Sequence, residues 1–284
     1  DVDTQLLKPA LSADASMKVS GVAMQTVSTL SVGGKAVNPG VYKASDAAWL
    51  AEGTVLVLSA EGFVPSDVAW VAGGSSESAS DSANWSAAAD FTKAVNRPVF
   101  AKSGTKAVLD GGMWNFAGLS FDAAGGFTVS AAGADSEIRL FGNIDVAVPD
   151  DDAAHPYVIE VPTVVSSDLT ITIASNVTVA MTGGLSGIGS LTMTGVNGSV
   201  MMYGYNDREG GLVLENPRIS GKIEHKLGGG WLTLRGDVGC PGDGNAIYFD
   251  YSRYVNGHNG DNGVFNGSLT VADGVTFHKP VEIS

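Results

Sequence analysis

Short alternating apolar runs, each closed by turn residues, are what most constrains this chain. They include "VSTLSV" (27–32), "TVLVLS" (54–59), "KAVLD" (106–110), "GFTVSA" (126–131), "EIRLFG" (137–142), "YVIEVP" (157–162), "DLTITIA" (168–174), "VTVAM" (177–181), "SLTMTG" (190–195), "GLVLE" (211–215), "WLTLRG" (231–236), "AIYFDY" (246–251) and "SLTVAD" (268–273). A period of two places every second side chain on one face of a strand, and Gly, Asn, Asp, Pro and Ser at the borders mark turns. Helical spacing is confined to "SDAAWLAEG" (45–53), which predicts a short helix capped by Ser45 and stopped by Gly53. From about residue 105 the runs recur roughly every 10 to 20 residues, as in sandwiches, barrels and solenoids.

One local pattern is reused. "GSLTMTGVNGSVMM" (189–202), "GGGWLTLRGDVG" (228–239) and "NGSLTVADGVTF" (266–277) each run from Gly into a strand holding Leu-Thr, through a Gly turn, into a second apolar stretch. Similar strands stacked in register bury their inward side chains only against neighbouring coils. The predicted fold is therefore all-β, a right-handed parallel β-helix (solenoid) with a small N-terminal β unit; a β-sandwich is the alternative. Leu191, Met193, Leu232, Leu234, Leu269 and Val271 are expected inside, with Thr and Ser outside. The Ser/Gly-rich stretch "GGSSESASDSANW" (73–85) suggests a boundary. Residues 1–62 are then a small β unit or cap, 63–84 a linker, and 85–284 the solenoid.

Only 16% of the residues are charged and 44% are hydrophobic, so hydroxyl groups rather than ion pairs must cover the wet faces. The net charge of −14 repels a phosphate backbone, and nucleic acid is excluded as a partner. No apolar run reaches the roughly 18 residues of a spanning helix, so no membrane insertion is expected. Cys240 is the single cysteine, which rules out an intrachain disulfide.

Candidate chemistry is sparse. Tyr203, Tyr205, Tyr248, Tyr251 and Tyr254 stand beside Asn and Asp in two segments, and flat aromatic faces next to planar polar groups suit pyranose rings. Tyrosines alternating along a strand also serve as core. Asp150, Asp151 and Asp152, near His155, offer the hard oxygen ligands calcium prefers, as does Asp261 in "NGHNGDNG" (256–263). A solvated acidic loop and a left-handed turn explain these residues equally. Folding is expected to need no metal or other cofactor. Asp207, Arg208 and Glu209, with Asp250 and Arg253, are the only groups that suggest a β-helical polysaccharide lyase or glycosidase. No catalytic residue is assigned.

The strand–turn–strand pattern resembles the autotransporter-associated β-strand repeat of bacterial surface β-solenoid passengers. "GHNGDNGVFNGSLTVADGVTFHKPVEIS" (257–284) has that family's style of Gly-rich turn and Leu-Thr-Val strand. "DSANWSAAADF" (81–91) with "GGMWNFAGLSFDAAGGFTVSAAG" (111–133) resembles its entry coils, and residues 27–59 resemble the close of a preceding array. The resemblance implies a secreted or cell-surface module with a structural or adhesive role and no catalytic machinery. Separately, "SLTVADGVTFHKPVEIS" runs in repeat style up to Ser284 with only Lys279 and Pro280 to blunt it, so this edge is expected to meet another subunit or an adjoining domain.

Overall fold

A computed structural model of the protein describes residues 7–102, 106–146, 156–174 and 177–189, and beyond these the strand residues between Leu191 and Ile283; side chains are described as far as Thr192. The apolar runs become strands, and the protein is all-β, with 45% of its residues in strands. From Asn96–Phe100 onward, strands that follow one another in the chain do not pair, as they would in a sandwich; each pairs in parallel with a strand three elements away, and the stacked parallel sheets make a solenoid of about seven turns.

Three sheets form its sides. The first holds Ser66–Ala69, Asn96–Phe100, Leu119–Phe121, Ile144–Val146, Leu169–Ile173, Leu191–Thr194, Leu212–Glu215, Trp231–Arg235 and Ser268–Val271. The second runs from Lys106–Leu109 through Phe127–Ala131, Tyr157–Ile159, Thr178–Met181 and Ser199–Met202 to Arg218–Ile219. The third stacks Met113–Phe116, Glu137–Leu140, Thr163–Val165, Leu185–Gly187 and Asn206–Arg208. Later coils continue with Ile223–Glu224, Ile247–Phe249 and Val281–Ile283, and with Asp237–Val238 paired to Thr276–Phe277.

Register explains the sequence pattern. Leu119, Ile144 and Ile171 form one buried column that continues at Met193, Leu214, Leu234 and Val271. Leu169 and Leu191, both buried, start another that continues at Leu212, Leu232 and Leu269. Leu191 thus lies inside as expected. The side chains of Met193, Leu232, Leu234, Leu269 and Val271 lie outside the described residues, although their backbones hold the same register positions. Between these columns Thr170 pairs with Thr192, and both are half-buried. The first coils are packed with aromatic rings and the later ones with branched aliphatics. Each such side chain fully buried contributes about 1.5–3 kcal/mol.

At the corners the backbone loses its ladder partners, and small polar side chains replace them. The Ser136 hydroxyl donates to the Leu109 carbonyl (2.9 Å) and accepts from Gly111 N–H (3.0 Å). Ser167 donates to Phe141 (2.9 Å), and Asn143 accepts from Thr170 N–H (2.9 Å). On the first face Arg97 forks both carboxylate oxygens of Asp67 at 2.7 Å and reaches Asp145 at 3.4 Å. Gly118 lies between them in the stack and carries no side chain to block the reach.

Residues 63–84, expected to be a linker, belong to the first coil. Ser66–Ala69 is the outermost strand of the nine-stranded sheet, Trp70 and Ala79 are core residues, and Ser78 bridges Val108 in parallel. The Ser-rich stretch folds because Asn84 satisfies its backbone. Its amide donates to the carbonyls of Ser76 and Ser78 (2.9 and 2.8 Å), and its oxygen accepts from Gly74 N–H (2.8 Å). The chain then turns back over the outer strand. Val71 N–H donates to Asn84 O (2.8 Å), and Ser86 N–H donates to Ala69 O (2.9 Å). This covers the edge that would otherwise template further pairing.

Before this coil, Val19, Val27, Leu30, Tyr42, Ala47, Leu50, Val55 and Val57 form a second core cluster. It mixes parallel pairs (Ala10–Leu11 with Ser31–Val32, Met17–Lys18 with Leu50–Glu52, and Gln25–Val27 with Thr54–Val57) with antiparallel ones (Ser31–Val32 with Lys35–Ala36, and Gly40–Lys43 with Thr54–Val57). The short helix predicted at 45–53 is absent; the stretch holds turns and the strand Leu50–Glu52. Met17 N–H donates to Trp49 O (2.7 Å) and Val19 N–H to Glu52 O (2.9 Å), so ladder pairing overrides the local preference. Lys93 ties the two clusters together. Its ammonium donates to Val41 O (2.6 Å) and lies 4.3 Å from the Tyr42 ring centroid. Burial, aided by the charge of Asp90, pushes the Tyr42 hydroxyl up to about 12.

Candidate functional site

The third face opens at its first corner. Trp114 shares a register column with Ile138, Thr163 and Leu185, all of which are buried, yet Trp114 is only half-buried. In the coil before it no strand covers the indole. The chain at 89–92 contacts this face through Phe91, whose carbonyl accepts from Asn115 N–H (2.8 Å). The Asn115 amide also donates to the Phe91 and Thr92 carbonyls (3.3 and 3.0 Å). What remains is a cleft of about 450 Å³ between Ala79–Ser82, Ala89–Thr92 and Asp110–Trp114.

Its apolar wall is rigid. The Trp114 indole N–H donates to Gly111 O (3.2 Å), and its ring lies 5.5 Å from Phe91. Phe91 in turn packs on Trp85 (5.0 Å) and Phe116 (5.2 Å). Trp85 donates its N–H to Ala79 O (2.8 Å) and meets Trp70 edge-on at 5.1 Å. Each ring is therefore fixed by a hydrogen bond or by neighbouring rings.

Two carboxylates stand on the rim. One oxygen of Asp110 accepts from the Ser78 hydroxyl and from Ser80 N–H (3.1 Å). One oxygen of Asp90 accepts from Thr92 N–H (2.9 Å) and its hydroxyl (2.6 Å). The Ser80 hydroxyl adds a further bond to Asp110, while the second oxygen of Asp90 accepts no hydrogen bond among the described residues. Burial pushes Asp110 up, but the bonds from Ser78 and Ser80 outweigh it and hold its carboxyl below the usual carboxylate range. A general acid for sugar cleavage needs the opposite shift. His, Lys, Arg and Cys are absent from the lining. The cleft can accept hydrogen bonds and stack a flat apolar surface.

The described lining of the cleft contains none of the residues singled out from the sequence. Asp150, Asp151, Asp152, Asp261, Tyr203, Tyr205, Tyr251 and Tyr254 lie outside the described residues. Tyr248 belongs to Ile247–Phe249, where it pairs with Glu224 and Glu282. Asp207 and Arg208 lie in Asn206–Arg208, next to Ser186 and Gly187 in the preceding coil. Among the described residues no three His, Cys, Asp or Glu side chains converge to hold a metal ion. The signal for the cleft was present as Trp85 and Trp114, each beside small polar or Gly residues in "DSANWS" and "GGMWNF". Comparison with protein-family models, with curated proteins and with solved structures finds no match.

Proposed function

We propose that this protein is a structural and adhesive β-solenoid module of a secreted or cell-surface protein. The observation that carries the reading is the stack itself, coil upon coil in parallel register. On the first sheet Thr170, Thr172 and Thr192 alternate with buried apolar side chains, and no three His, Cys, Asp or Glu side chains converge among the described residues. Such a body is a rod whose length comes from repetition, and rods of this kind offer extended surfaces rather than a single reaction centre. The sequence resemblance to surface passengers and the low charge content support the same reading.

The competing reading is a β-helical lyase or glycosidase. Coated on a surface, the full chain is expected to retain cells or extracellular matrix through washing. Incubated with neutral and acidic polysaccharides, it is expected to release no reducing ends and no unsaturated products. Time-dependent release would overturn the proposal in favour of the enzyme.

A further inference from the structure

We infer that the cleft beside Trp114 is a binding site for a neutral saccharide, which stacks one pyranose ring on the indole. The inference deepens the adhesive reading and rests on it only for the expectation that the protein meets glycans.

Trp114 holds a core register position, so packing alone would have covered it as it covers Ile138 one coil on. Instead its ring lines an open cleft and is held by Gly111 and Phe91. A preorganised flat wall costs little ordering on binding. Gly112 lies at the mouth with φ +70, and a Cβ there would meet nothing within 4 Å, so that side stays clear. Asp90 keeps one oxygen free to accept from a sugar hydroxyl, and Asp110, held by Ser78 and Ser80, adds a second polar group to the rim.

The same wall argues against an organic cation. A quaternary ammonium needs several aromatic faces around it. Trp85 and Phe91 are buried, which leaves Trp114 as the half-exposed ring among those lining the cleft. Two rim carboxylates in a chain of net charge −14 also exclude uronic or sulfated sugars. The volume of about 450 Å³ suits one or two sugar units.

The test titrates the full chain with maltotetraose, cellotetraose, xylotetraose and N,N′-diacetylchitobiose, reading tryptophan emission and heat. Tetramethylammonium and glucuronate serve as counter-probes. Saturable binding of at least one neutral sugar is expected, with Kd on the order of 1 mM. Trp114→Ala should weaken it about tenfold or more. Because that change touches the core register, Gly112→Asn provides a second arm. Asn tolerates the left-handed backbone better than other side chains, so it should obstruct the mouth while lowering the melting temperature by only about a few degrees. The proposal is overturned if no neutral sugar saturates, if both variants bind as the parent does, or if tetramethylammonium alone binds. Retention of cells without sugar binding would overturn this inference and leave the adhesive reading standing; sugar binding without retention would do the reverse.

Discussion

Phe100→Ala is expected to lower the melting temperature by about 10 °C, the largest effect of any single truncation in the described core. Phe100 is fully buried and touches four rings. It stacks on Phe127 at 4.4 Å and on Phe121 at 5.5 Å, and meets Trp85 at 6.2 Å and Trp70 at 6.3 Å. These rings come from three successive coils, so neighbouring backbones cannot collapse into the cavity without breaking the ladder between them. Removing a phenyl ring from such a site costs about 3–5 kcal/mol. For a domain of this size that corresponds to roughly 2–4 °C per kcal/mol. Thr172→Ala, on the exposed side of the same face, should stay within about 0.5 kcal/mol of the parent. Thermal melts followed by circular dichroism will separate the two.

The second large effect is expected at a residue without a side chain. Gly187 pairs with Val165 in the coil before it and has φ +111, where L side chains are strained. A Cβ there would overlap the Val165 carbonyl oxygen and come within 2.8 Å of its nitrogen. The obstacle is backbone, so no rotamer change relieves it. Gly187→Ala combines that clash with the cost of left-handed geometry, roughly 3 kcal/mol in all. Because each coil depends on its neighbours, the loss should appear first as faster amide exchange in Thr163–Val165 and Leu185–Gly187. Ser186→Ala, one residue away and half-buried, is the control, with little change expected.

Two of the three sides were readable from the sequence. On the first and second sheets the alternation is clean, as in "DLTITIA" and "GFTVSA", because one face is core and the other is wet. The third side was legible at "EIRLFG", but elsewhere it breaks that code. Thr163 is inward but polar, its hydroxyl satisfied by Val161 O at 2.9 Å, and Gly187 is inward without a side chain. Asn115 points the other way and is still buried, under the Phe91 and Thr92 carbonyls. The first coil was hidden for a related reason. "GGSSESASDSAN" looks like a linker until Asn84 is seen to bind Gly74, Ser76 and Ser78. Serine-rich composition says nothing about whether a single buried side chain will organise it. The cleft escaped notice because Trp114 looks like any core aromatic; only the absence of a covering strand in the preceding coil makes it a surface.

Everything above depends on parallel pairing between coils, and one measurement reaches it directly. In a solution NMR experiment, cross-strand backbone contacts from Ile144 should run to Leu119 on one side and to Ile171 on the other, with Val146 meeting Phe121 and Ile173 in the same sense. Evenly spaced parallel contacts at both neighbours are the predicted result. Antiparallel contacts joining Leu119–Phe121 to Phe127–Ala131, its successor in the chain, would instead make the protein a sandwich of hairpins and contradict the solenoid.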